Sequence, residues 1–147
     1  MNKKFLIFCL LILVVGSSVC FAAAAEKMDF GDFTLEIDGV PFFNDTQDGT
    51  TVYVYLLNGA SGKNDSSEFI VTTGPASNSQ DTVIDNCLSQ GYEKQEEVNG
   101  FVLFSSGTSD SKYNYTAVHV TDGGVGILIS FDDLDAGKKI INTYEDA

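Results

Sequence analysis

Residues 113–131 read YNYTAVHVT, then DGG, then VGILISF, and this stretch decides the fold. From Tyr113 to Thr121 the chain alternates. Tyr113, Tyr115, Ala117 and His119 fall on one face, and Thr116, Val118 and Val120 on the other, the period-two signature of a strand. Asp122-Gly123-Gly124 turns the chain into Val125–Phe131, a run rich in β-branched and aromatic residues. A link this short cannot hold the dozen or more residues of a parallel crossover, so the two strands are antiparallel.

The same logic extends upstream. Asn99-Gly100 separates Tyr92–Val98 from Phe101–Ser105, and Asn-Gly between two extended runs is the strongest short hairpin signal. Thr51–Leu57 (TVYVYLL) and Glu68–Thr73 (EFIVTT) form another expected hairpin through the turn-rich residues 58–65. Phe33–Ile37 alternates apolar and polar and is closed by Asp38-Gly39. Glu26–Gly31 reads as an acidic lead-in, Pro41-Phe42-Phe43 as an apolar elbow, and Asn44–Gly49 as a loop. Tyr53, Tyr55, Tyr113 and Tyr115 form aromatic rows that pack in the core, or become a docking surface if their face is left bare.

Two segments break the strand period. Val83, Ile84, Cys87 and Leu88 lie on one side of a helix over Asp81–Gln90, with Ser79 as N-cap and Gly91 as the stop. Asp132-Asp133 caps a second helix whose apolar positions are Leu134, Ile140, Ile141 and Tyr144. Strands grouped apart from helices indicate an α+β fold: a mainly antiparallel twisted sheet with both helices packed on one face. A β-sandwich is the competing architecture and requires Asp81–Gln90 not to be helical.

The N-terminus points to a compartment. Asn2-Lys3-Lys4 is followed by an uncharged stretch from Phe5 to Ala25, apolar without a break to Val15, and closes in Ala22–Ala25. Basic start, apolar run and A-x-A site are the parts of a secretory signal peptide, so residues 1–25 are expected to be removed and 26–147 to form one secreted or surface domain. The 21 uncharged residues also reach the length of a bilayer span, which makes an uncleaved anchor the competing reading. Lipidation at Cys20 is disfavoured by Val19 where a small residue is required.

Residues 26–147 carry six lysines against all 21 acidic residues, a net charge of −15, and the chain has no arginine. Such a domain repels nucleic acid and anionic membrane surfaces, so membrane contact is expected only through the N-terminal segment if it is retained. Cys87 is the one cysteine outside the export segment, so no intramolecular disulfide forms.

Chemistry is sparse. His119 is the sole histidine, which excludes a His–His metal pair, and no second group to orient it as a base stands out. Cys87 sits on an apolar stripe, where a thiol behaves as a small inert hydrophobe. Asp132, Asp133 and Asp135 lack the alternating ligands of a calcium loop, as does the looser group of Asp45 and Asp48. Gly123-Gly124-Val125-Gly126 leads into a strand, whereas a phosphate cradle opens a helix. No catalytic, cofactor or metal residue is therefore assigned. Asn44 and Asn64 stand in Asn-x-Ser/Thr sequons on expected loops and are the candidate glycosylation sites; Asn114, in an expected strand, is a poorer acceptor.

The C-terminal half, from the Asp81–Leu88 helix through YNYTAVHV, the DGG turn, GILISF and DDLDAGKKIINTY, resembles small exported proteins of methanogenic archaea that carry no assigned function. More distantly it resembles the PsbP-like class of α/β/α sandwiches. The resemblance covers Asp81–Tyr144, implies a fold and an archaeal origin, and transfers no functional residue. The expectation is a non-enzymatic module that binds a protein or cell-envelope component through its sheet face or loops, with a carboxylate-dependent hydrolase or divalent-cation binder as the alternative.

Overall fold

The computed structural model describes residues 25–57, 67–107 and 112–147. Ten strands and two helices follow one another: β1 (Glu26–Asp29), β2 (Phe33–Ile37), β3 (Gly39–Gln47), β4 (Thr50–Leu57), β5 (Ser67–Pro75), α1 (Gln80–Ser89), β6 (Glu93–Val98), β7 (Phe101–Ser105), β8 (Tyr115–Val120), β9 (Val125–Phe131), α2 (Leu134–Ile141) and β10 (Glu145–Asp146). The fold is α+β, as the strand and helix periods require.

Seven strands form one antiparallel sheet in the order β3-β4-β5-β9-β8-β7-β6. The chain builds β3 to β5 outward-in, crosses the sheet through α1 to the far edge, and meanders back through β6, β7 and β8. Thus β9 closes the gap beside β5, and residues 113–131 supply two central strands. A second sheet, β1-β2-β10, is also antiparallel.

The small sheet and α2 cover one face of the large sheet. Phe33, Leu35 and Ile37 of β2 and Ile140 and Ile141 of α2 are buried against Leu57, Val71, Phe101, Leu103, Ala117, Ile127 and Ile129. Register places Tyr55, Phe69, Phe131 and Tyr115 side by side across β4, β5, β9 and β8, with ring centroids 5.9 and 5.7 Å apart in the last two pairs. Tyr53 meets Phe30 edge-on. Tyr55 is buried and Tyr53 and Tyr115 are half-buried against the core, whereas Tyr113 lies before β8 and bonds Glu68.

The helices take opposite faces, and the expectation of both on one face is corrected. Val102, Phe104 and Val118, which alternate with the core residues of β7 and β8, pack against Val83, Ile84, Cys87 and Tyr92. The physical reason lies in β7: Phe101, Val102, Leu103 and Phe104 are all buried, so this strand needs apolar cover on both sides.

Local chemistry sets the helix ends. Ser79 accepts from the Thr82 amide at 3.3 Å. Past the C-cap Gln90, Gly91 adopts φ +92°, and the Tyr92 and Gly91 amides return to the carbonyls of Cys87 and Leu88. Asp133 caps α2 by accepting from the Ala136 amide at 3.1 Å.

Two further readings are corrected. Asn44–Gly49 is not a loop but the end of β3 and a tight turn into β4, with Asp48 and Gly49 both at positive φ (52° and 81°). Pro41 obscured this strand, yet proline is tolerated at a sheet edge beside a bulge, and the register shifts between Pro41 and Phe43. The lead-in Glu26–Gly31 contains β1, paired with β2. The expected export segment up to Ala24, the expected turn-rich link at residues 58–65 and the sequon at Asn64 lie outside the described residues.

Candidate functional site: the open half of the sheet

The face that carries α1 is only half covered. α1 crosses β6 to β8, while the same face of β3, β4, β5 and β9 has no element over it among the described residues. Register defines what is shown there. One row runs Phe43, Val54, Ile70, Ser130; the next runs Asp45, Val52, Thr72, Leu128; a third runs Val40, Leu56, Glu68. Phe43 is 55% exposed, and Val40 and Leu128 are each 39% exposed. Val52, Val54, Leu56 and Ile70 are half-buried. Phe42, at the bulge on the rim, is 68% exposed.

Contiguous apolar surface of this kind is uncommon on a solvated face, where alternation should place polar side chains. It is not flat. A shallow hollow of about 470 Å³ is lined by Phe43, Asp45, Gln47, Asp48, Thr50 and Val52. A second, of about 210 Å³, opens between this face and the start of α1, where Thr72, Leu128, Val118 and Val83 meet.

The two ends of the strip are acidic. Asp45 and Asp48 stand at the β3–β4 turn. Glu68, opposite Leu56, and Asp132, at the end of β9, stand at the other end. Glu68 accepts from the Tyr113 hydroxyl at 2.6 Å and lies 3.4 Å from Lys112, and these contacts, the hydroxyl first, hold its carboxyl below the usual range. Asp132 accepts from the Asn114 amide at 3.0 Å.

Both edges of the large sheet discourage strand addition. β6 is exposed from Glu93 to Glu97 and carries four charges there, with a register shift between Lys94 and Glu96, and β3 carries Pro41 and its bulge. The open face, not an edge, is the accessible apolar feature.

The candidates raised by the sequence fall elsewhere. His119 is half-buried beside Phe101 and Tyr144, with ring centroids 5.1 and 5.3 Å away. Its Nδ1 lies 3.0 Å from Gln80 Oε1, which also accepts from the Val120 amide at 3.0 Å. With that oxygen as acceptor, Nδ1 carries the proton. The partner is thus an amide that ties α1 to β8, not the carboxylate that a base would need. Cys87 is half-buried on the side of α1 that packs against Val102, Phe104 and Val118, and burial pushes its thiol up, which keeps it protonated.

Asp133 is an N-cap, Asp132 braces Asn114, and Asp135 lies in the first turn of α2. Among the described residues, no group of three or more His, Cys, Asp or Glu side chains is placed to hold a metal ion. Gly124, at φ +81°, belongs to the β8–β9 hairpin turn. Asn44 is exposed on β3, in register with Tyr53 and so on the face opposite Phe43. No helix among the described residues is long and apolar enough to cross a membrane.

The open strip was not singled out from the sequence, although its pattern was there. TVYVYLL is apolar on both faces, which signals either cover on both sides or a surface awaiting it. Comparison with protein-family models, with curated proteins and with solved structures finds no match for this chain, so the geometry alone carries the functional reading.

Proposed function

We propose that this protein is an exported, non-enzymatic binding module that docks another protein or a cell-envelope component on the open half of its seven-stranded sheet. The observation that carries the reading is the strip of Val40, Phe43, Val52, Val54, Ile70 and Leu128, uncovered among the described residues beside a helix that covers the rest of the same face. Export supports it from the N-terminal side: β1 begins at Glu26, so removal of residues 1–25 leaves every described strand whole.

Site-specific photocrosslinking in the envelope of the producing cell tests the reading. A photoreactive residue in place of Phe43 or Leu128 is expected to give discrete adducts, and one in place of Gln95, on the far edge, to give none. Equal labelling from all three positions, or none from the strip, rejects it.

A further inference from the structure

We infer that the occupant of the open strip is an amphipathic helix of a partner, apolar along its contact face and basic toward both ends; the inference rests on the docking role proposed above. Three observations select this occupant.

The first is room. From β3 to β9 there are three strand spacings of about 4.8 Å, so the uncovered width is roughly 14 Å. A helix with its side chains is about 10 Å across, so one fits beside α1. The strands beneath are 7 to 9 residues long. At about 3.3 Å per residue they match a helix of about 18 residues.

The second is the neighbour. α1 already packs on this face through Val83, Ile84 and Cys87, and a helix laid parallel to it would complete the layer that α1 begins.

The third is charge. Asp45, in register with Val52, and Asp48 at the turn beyond it lie toward one end of the strip, and Asp132 and Glu68, the latter 3.4 Å from Lys112, toward the other, while the row of Phe43, Val54, Ile70 and Ser130 between them carries no charge. A second copy of the chain would bring the same carboxylates and the same net charge of −15 (over residues 26–147), so self-association is opposed. An anionic lipid surface is opposed for the same reason. Lysines or arginines in the terminal turns of a partner helix would meet these carboxylates while its apolar face fills the centre.

The test uses the purified protein and a helical probe peptide of about 18 residues, with leucines on one face and lysines in its terminal turns. A second peptide has the same composition with the leucines scrambled. The structured peptide is expected to bind and to perturb backbone amide resonances of β3, β4, β5 and β9. Phe43→Lys and Leu128→Lys, both at exposed positions that a folded chain tolerates, are each expected to weaken binding about tenfold. Equal binding of the scrambled peptide overturns the inference, as does perturbation centred elsewhere or indifference to both variants. So does a dimer in sedimentation that Phe43→Lys dissociates, or binding to phosphatidylglycerol vesicles that Leu128→Lys abolishes. Adducts from Phe43 in the photocrosslinking experiment together with no binding of the probe reject the helix and leave the docking role standing; failure of both rejects the two together.

Discussion

Gly137 of α2 lies against the ring of Phe131 so closely that a Cβ on it would overlap the ring carbons. This contact joins the last helix to the strand before it, and Phe131 is itself the centre of the aromatic row across β5, β9 and β8. Glycine inside a helix normally costs about 0.5–1 kcal/mol relative to alanine, so Gly→Ala there usually stabilises. Here the sign reverses. Gly137→Ala is expected to destabilise by about 1–3 kcal/mol, because either the ring or the helix must move in a closed core. Urea melts of the two proteins decide it, and a variant as stable as wild type would show that α2 sits further from the sheet than described.

Asn99 serves two elements at once. Its backbone occupies φ +49° in the tight turn between β6 and β7, and its Nδ2 donates to the carbonyls of Ile141, Asn142 and Tyr144 at 3.1, 3.3 and 3.1 Å. Those carbonyls belong to the end of α2 and its exit, where i+4 amides run out, although that of Ile141 also accepts from the Tyr144 amide at 3.1 Å. Asn99→Asp keeps the backbone preference but turns an acceptor toward three acceptors, with an expected cost of about 1–2 kcal/mol. Asn99→Gly keeps the backbone and merely deletes the donor, so it should fall between. If Asn99→Asp melts with wild type, the turn does not hold the helix.

How much of this was legible in the chain depended on the range of the signal. Short-range signals read true: Ser79 and Asp133 as caps, Gly91 as a stop, Asn99-Gly100 as a hairpin and the alternation around His119 all describe the structure. Asp48-Gly49 is the same kind of turn signal, and the restriction of Pro41 upstream of it matters little on an edge strand. Which element covers which face was not legible, because period two assigns residues to faces without naming what lies over them. Phe101–Phe104 and Thr51–Leu57 look alike in sequence, yet one is buried on both sides and the other only on one. The open strip is therefore a property of topology: α1 leaves β5 for the distant β6 edge and lies over the strands it is travelling toward.

Acid should weaken one corner of the sheet in a defined direction. The Glu68 carboxyl is held below its ordinary range, first by the Tyr113 hydroxyl and then by Lys112, and burial opposes them. A depressed folded value contributes stability that is present above the unfolded value, about 4.3, and is lost as pH falls through the lower folded one. Glu68→Gln should thus be less stable than wild type near neutrality, with the gap closing only in acid. Tyr113→Phe should remove more of this dependence than Lys112→Ala, since the hydroxyl is the larger cause. A gap between Glu68→Gln and wild type that persists unchanged to pH 2–3 would contradict the assignment, read from melting temperature against pH.

Alkali should act through the core. Tyr55 is 5% exposed, and burial, with the nearby Tyr53 adding to it, pushes its hydroxyl up to about 12. Tyr144 is also raised, first by burial and then by its hydroxyl bond to Asp146 at 2.5 Å. In the unfolded chain a tyrosine ionises near 10, so above that pH the unfolded state sheds protons that the folded state retains. Stability is then complete below about pH 10 and falls as pH rises toward the folded value, by at most about 1.4 kcal/mol per pH unit for each such group. Tyr55→Phe has no proton to lose and should flatten this limb, and Tyr55→Phe with Tyr144→Phe should flatten it further. Urea melts at intervals from pH 9 to 11.5 give the slopes directly. Parallel curves for wild type and the double variant would mean that both hydroxyls ionise freely in the folded state, and the packing of Tyr55 against Phe69 and Phe30 would have to be redrawn.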